Sequence, residues 1–285
     1  IVFCVGPQMM PNSLKVAVEH PEVYILKCSL NAPHPYIRTY YGRMYEAKFL
    51  AGMIAGAVTD NERVAYIADY PIYGMIANIN AFALGVASVN PRAKVYLAWS
   101  KTKDYDRNKF LTENDLHYVS DQDIITPNDA SRYFGLYKLQ DGQALNLAMP
   151  IWNWGVFYEK LLQSVLAGSY KAEGQEQVKA LNYWWGMSAG VIDLICSKHV
   201  PYGVKRLADH LKSDITKGEV VPFFGQIYDQ KGELKNKGEH EMKPSDIMKM
   251  DWLVDNVVGS IPPMSEFIDN AKMVVELKGV EGNKL

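Results

Sequence analysis

Apolar and polar positions switch period repeatedly along the chain, and the clearest switch lies between Arg63 and Val86. Val64–Ala68 is a short continuous apolar run, the pattern of a buried strand. From Gly74 onward Ile76, Ile79, Ala83 and Val86 recur at helical spacing and predict a helix over 74–88 that buries one face. Between them stands Asp69-Tyr70-Pro71-Ile72-Tyr73, a polar and aromatic turn. Open α/β sheets bind small ligands at the carboxyl ends of strands, beside helix N-termini. The turn therefore reads either as a pocket wall or as an aromatic plug over the core.

The same reading predicts strands over 1–5, 23–28 and 94–99 and helices over 14–19, 42–58, 151–166 and 205–217, the last closing at Gly218. Residues 101–150 read as irregular and polar, 183–195 as two strand segments around Gly186 and Gly190, and 222–232 as a strand entering a glycine turn. A capped helix is expected from Ser245 to Val258. Strand and helix alternate, which predicts parallel sheets with right-handed crossovers. On the 42–58 helix, Ala47, Ala51, Ala55, Gly52 and Gly56 permit close backbone approach, and packing against a sheet is the expected use.

Composition narrows the function classes. At 285 residues the chain accommodates two modest lobes or one large α/β domain. A net charge of −2 without blocks of like charge gives no footprint for nucleic acid. Cys4, Cys28 and Cys196 are widely spaced and suggest buried small hydrophobes rather than a disulfide framework or zinc site. The most apolar stretch, Phe49–Val58, is too short to span a bilayer and follows Arg43, Glu46 and Lys48. The chain opens on a strand already inside a fold, which suggests a mature fragment or excised domain, so localisation cannot be read from its first residues.

Gly186-Met187-Ser188-Ala189-Gly190 matches the GxSxG nucleophile elbow, with Asp209 and His240 following in hydrolase order. The β-branched alternation of Val191–Ile195 continues as strand where an elbow requires a helix, and no Gly-rich oxyanion loop precedes it. P-loop, GxGxxG, HExxH and kinase patterns are absent from the sequence. The histidines lie at no metal-ligand spacing. Asp121 and Asp123 are a candidate carboxylate pair that repels unless a cation or ligand hydroxyls sit between them, and a solvated turn is the preferred reading. Tyr70, Tyr73, Trp152, Trp154, Tyr183, Trp184 and Trp185 gather at predicted element ends, which suits stacking of a flat ring.

Tyr41–Gly56, Val64–Ile72 and Ile79–Gly85, followed by Trp152–Gly155, Trp185–Met187 with Gly190-Val191, Phe224–Gln230 and Met250–Val254 with Gly259 and Ile261-Pro262, resemble the basic membrane protein (BMP) family in one order. The family comprises solute-binding lipoproteins of ABC transporters, many of which bind purine nucleosides or bases. The sequence lacks that family's N-terminal Asp…Ser-Phe-Asn-Gln motif and departs from it over 101–150. The resemblance implies an α/β, periplasmic-binding-protein type I-like fold with two lobes. It places an incomplete first lobe and crossover helix at 1–58, a second lobe at 59–150, and a crossover helix, shared strands and C-terminal helix at 151–285. It implies capture of a purine base or nucleoside in an interlobe cleft without catalysis, metal or cofactor. The partners implied are that ligand and a transporter permease, with a membrane reached only through a lipid anchor absent from this chain, and the setting is extracytoplasmic. Carried over residue by residue, it nominates Gln8 and Met9 in the loop after the first strand, with Gln8 reading a purine edge. It further nominates Asp69 and Tyr70 as cleft wall, Asp123 in a polar loop, Trp154 at the mouth of the crossover helix, and Gly190 for close backbone approach. A sensor domain of the same fold is the alternative, and a nucleosidase or esterase acting through Ser188 is a more distant one.

Overall fold

The structure, a computed structural model, describes residues 1–5, 9–30, 37–123, 132–169 and 183–280. Gln8 and the expected turn at 31–35 lie outside these described residues. In chain order the first elements are β1 (Val2–Cys4), α1 (Met10–Glu19), β2 (Ile25–Cys28), β3 (Arg38–Gly42), α2 (Met44–Val58), β4 (Arg63–Ala68), α3 (Met75–Val89) and β5 (Lys94–Trp99). Then come α4 (Arg107–Glu113), β6 (Tyr118–Ser120), β7 (Leu136–Gln140), β8 (Gln143–Trp152), α5 (Trp154–Leu166), β9 (Tyr183–Trp185) and β10 (Ile192–Cys196). The chain continues through α6 (Tyr202–Lys217), β11 (Gln226–Tyr228), β12 (Leu234–Lys237), α7 (Pro244–Met248), β13 (Val257–Val258) and α8 (Asp269–Lys278).

Contacts divide the chain into two compact units, residues 1–43 with 152–192 and residues 44–151 with 193–285. The first unit holds a fully parallel sheet of order β1-β2-β3-β9. Cys4, Ala17, Ile25 and Ile37 form a small core where α1 covers it, and Leu14 and Val23 pack against that core. Around α5 the core is aromatic: Tyr40 is fully buried, stacks on Phe157 at 4.8 Å, and bonds the hydroxyl of Tyr158 at 3.2 Å.

The second unit holds a mixed sheet of order β10-β8-β7-β6-β4-β5-β13. Its parallel part joins β6, β4, β5 and β13, and β7 and β8 add an antiparallel hairpin. Residues 44–56 of α2 are buried on every side, as an all-round apolar helix must be. The partner of its small residues is a helix, α3, rather than the expected sheet. A Cβ added at Gly52 would lie 2.0 Å from the Phe82 carbonyl oxygen, and one at Gly85 would lie 2.0 Å from that of Phe49. Only glycine at both positions lets the two backbones touch.

Several expectations are revised. The stretch 101–150 is not irregular: it carries α4, β6, and the β7–β8 hairpin turned by Asp141 and Gly142, both at positive φ. Ile151 and Trp152 end β8, so the following helix begins at Trp154, and Gly42, expected to open the 42–58 helix, instead ends β3. The expected helix 245–258 stops at Met248, and Ser245 bonds the Asp246 side chain instead of capping a backbone N–H. No helix among the described residues is long and apolar enough to cross a membrane.

Candidate functional site

Three adjacent parallel strands, β6, β4 and β5, end on one edge of the second unit's sheet, and each runs straight into polar residues. Asp69 follows β4. Its Oδ1 accepts a hydrogen bond from the Ser100 hydroxyl and lies 3.8 Å from Lys101 Nζ, both just past β5. Asp69 Oδ2 has no hydrogen bond among the described residues, and the side chain is 35% exposed, so this oxygen can accept from a ligand. Tyr70 is half-buried beside it, and burial, reinforced by Asp69, raises its phenol above the ordinary value. The turn is tied down by the C-terminal segment, where Ile72 bridges Gly279 and Val280 N–H donates to the Pro71 carbonyl.

Beyond β6 the carboxylate pair is not a solvated turn. Asp121 is 5% exposed and accepts from Arg107 at 2.8 Å, from the Tyr137 hydroxyl at 3.1 Å and from Gln122 N–H at 2.9 Å. Lys48, 1% exposed in the middle of α2, donates to Asp123 Oδ1 at 2.6 Å and to Ser120 Oγ at 3.2 Å, with its ammonium 5.0 Å from the Tyr66 ring centre. The charge that the pair requires arrives from the protein itself, as Lys48 and Arg107. Burial pushes the Asp123 carboxyl up despite Lys48, and Asp121 adds to the rise. Tyr105 joins the two clusters electrostatically. Burial, opposed by Arg107 and supported by Asp121 and Asp69, brings its phenol to about 12.

In the first unit, Asn153 precedes α5 and its amide donates to the Gly190 carbonyl at 3.1 Å. Trp152 and Trp154 stack 5.0 Å apart at 7° between planes, and Tyr158 extends the stack at 6.3 Å from Trp154. Trp152 also covers Gly42 at the end of β3, where an added Cβ would lie 2.6 Å from the indole. Gly190 has φ +73 and ends a single 3₁₀ turn, Met187–Ala189, and an added Cβ there would meet nothing nearer than Val156 at 3.7 Å. Its glycine is needed for backbone conformation, not for clearance. Ser188 sits in that short turn ahead of β10, which is not the strand–turn–helix of a nucleophile elbow, and Asp209 is occupied by Lys205 at 2.6 Å. Met9 is exposed beside the start of α1.

The structure thus groups Asp69, Tyr70 and Asp123 in one unit and Met9, Trp154 and Gly190 in the other. Sequence reading missed Ser100, Lys101, Tyr105 and Arg107. Lys48 had a signal: a charge set against an apolar helical run must find a partner when the helix is buried. The described residues contain no His, Cys, Asp or Glu group suited to hold a metal ion. Cys4, Cys28 and Cys196 form no disulfide.

Solved structures share this α/β fold. A transcriptional activator of the comK gene from Bacillus halodurans aligns with TM-score 0.58 at 14% identity, over 77% of this chain and 79% of that one. An ABC transporter solute-binding protein from Conexibacter woesei aligns with TM-score 0.50 at 16% identity, over 77% and 78%. Residues 1–133 match the model of the Bmp family, described as ABC transporter substrate-binding protein PnrA-like. A purine-binding protein of Brucella abortus is 26% identical over 275 residues, covering 92% of this chain and 76% of its own length. A Haloferax volcanii protein, provisionally named an ABC transporter glucose-binding protein, is 31% identical over 189 residues, covering 62% of this chain and 46% of its own. The resemblance read from the sequence motifs is borne out at the level of family.

Proposed function

We propose that this protein captures a purine base or nucleoside and delivers it to an ABC-transporter permease, working outside the cytoplasm as a membrane-anchored lipoprotein or a periplasmic protein. The observation that supports this reading most is the polar edge built by β4, β5 and β6. Asp69 is fixed by Ser100 and Lys101 through one oxygen and leaves the other to accept from ring N–H or ribose hydroxyl groups, with Tyr70 alongside as a flat wall. Charge-assisted bonds of this kind are short and orienting. The name of the Brucella relative points to the same ligand class. Catalysis plays no part in this reading.

Thermal unfolding with adenosine, guanosine, inosine, adenine, hypoxanthine, uridine and D-glucose tests it. A ligand at 100 times its Kd adds about 2.7 kcal/mol to folded-state stability, a rise of several degrees. One purine group should produce that rise, and Asp69→Asn should reduce it. A rise with D-glucose alone, the ligand class named for the Haloferax relative, would replace the purine reading. No rise with any purine would overturn it.

A further inference from the structure

A pocket of about 370 Å³ opens in the second unit, between the β11–β12 hairpin and the segment 251–261. Its residues are not those of the polar edge at β4–β6. The hairpin side carries a closed charge cluster. Asp229, 4% exposed, takes the N–H groups of Lys231 and Glu233 on Oδ1 at 2.9 Å each and Lys235 Nζ on Oδ2 at 3.0 Å. Lys235 also reaches Glu233 at 2.8 Å, and its ammonium stands 6.0 Å from the Trp252 ring centre. Burial raises the Asp229 carboxyl, but Lys235 and the two N–H groups outweigh it and hold the carboxyl below the ordinary range. On the other side Asn80, fully buried on α3, donates to the Trp252 carbonyl at 2.8 Å and accepts from the Val254 N–H at 3.1 Å, which holds the backbone that carries the indole. Ile261 continues the apolar surface, while Asp251, Ser260 and Lys231 are exposed at the rim.

We propose that this pocket is a second binding site, for a neutral polyhydroxylated ring of the monosaccharide or cyclitol class. Its charges set the choice. Asp229 and Glu233 are already held by Lys235, so a cation would find Asp251 as its remaining carboxylate and would face the ammonium groups of Lys231 and Lys235. An anion would face Asp251 and Glu233. A flat apolar ring would cover Trp252 but strip water from seven polar or charged lining residues without replacing their bonds, at a cost for each. A sugar ring meets both demands. Its C–H face lies on Trp252 and Ile261, and its hydroxyls donate to Asp251 and accept from Lys231 and Ser260. The volume is at the small end of ligand pockets, which fits one such ring and a few waters.

The test is saturation-transfer NMR on the full chain, titrated with D-glucose, D-galactose and myo-inositol. At least one probe should bind saturably, with transfer to its ring C–H protons. Asp251→Asn and Trp252→Leu should each weaken that binding at least tenfold, and Trp252→Phe should restore part of it by restoring the aromatic face. Should W252L fail to fold, D251N at the exposed rim carries the test alone. No saturable binding of any probe would overturn the proposal. So would binding that D251N and W252F leave unchanged together, or binding displaced by saturating adenosine, which would put the sugar at the polar edge instead.

Discussion

Replacing Lys48 by methionine keeps the length of the side chain and its apolar contacts inside α2 but removes the only charge that Lys48 brings to Asp123. Both ends of that pair are sheltered, at 1% and 19% side-chain exposure and 2.6 Å apart. Breaking a buried pair by deleting one partner costs about 3–5 kcal/mol, because the other charge is left uncompensated. Since Asp123 keeps a fifth of its surface, the lower end, about 3 kcal/mol, is expected at pH 7. The Tyr66 ring contact with the ammonium, 5.0 Å away, is lost in the same step and falls within that figure. The loss should depend on pH with a definite sign. Burial already raises the Asp123 carboxyl in the folded protein, and removal of Lys48, which lowers it, raises it further. A raised folded-state value contributes stability that is fully present below the unfolded carboxylate value of about 3.9 and lost as pH rises through the folded value. The K48M deficit should therefore be greatest at neutral pH and shrink toward pH 4, where a protonated Asp123 needs no cation. Urea unfolding of wild type, K48M, D123N and the double variant at pH 7.5 and pH 4.5 measures this, and the double variant should recover part of the single losses. A K48M deficit under about 1 kcal/mol, the size of an exposed pair, or one that grows as the pH falls, would refute the reasoning.

Gly52→Ala and Gly85→Ala should each destabilise by about 1–3 kcal/mol or more, as overpacking does, because the new methyl meets a backbone carbonyl that cannot move without parting α2 from α3. Gly203→Ala, in an open position near the start of α6, should instead be neutral or stabilise by about 0.5–1 kcal/mol, and melting curves of the three proteins compare them directly. Asn80→Ala leaves the Trp252 carbonyl and Val254 N–H without their side-chain partner and should cost about 1–3 kcal/mol, with faster amide exchange confined at first to residues 250–254. Asp229 sits below its ordinary value, so the order it gives the β11–β12 hairpin is present above the unfolded value of about 3.9 and is lost as pH falls through the folded one. Amide exchange across residues 226–237 should accelerate there in wild type, while Asp229→Asn should be fast already at pH 7.

Where one period dominated, the sequence was readable. The β4–turn–α3 unit came out nearly as written because Val64–Ala68 is an unbroken apolar run, buried throughout, and the 76–86 stripe keeps a period of 3.6. Residues 101–150 failed because their signals are short and mutually cancelling. β6 has three residues, α4 has seven, and the ten-residue β8 alternates imperfectly, with Pro150 near its end. Residues 250–258 read as a helix by spacing, yet Asn80 takes their backbone groups at 252 and 254 and Asn256 hands its own amide to the Ala83 carbonyl, so bonds to α3 replace a helical ladder. No periodicity within the segment reports a partner 170 residues away.

The candidate site divides along the same line. Asp69 and Tyr70 were legible because position alone nominates them: they follow a strand and precede a helix, whatever surrounds them. The chemistry of that position was not legible, since Ser100 and Lys101 come from the next strand and Arg107 from a helix that the pattern did not reveal. Asp121 and Asp123 show the limit most plainly. Two residues apart on one chain they predict mutual repulsion and solvent, but the fold supplies each with a cation from a different element, α4 for one and α2 for the other. The lysine inside an apolar helix and the carboxylates past a short strand are each anomalous alone. Taken as a pair they account for one another, because a buried charge of one sign requires a buried charge of the other within reach.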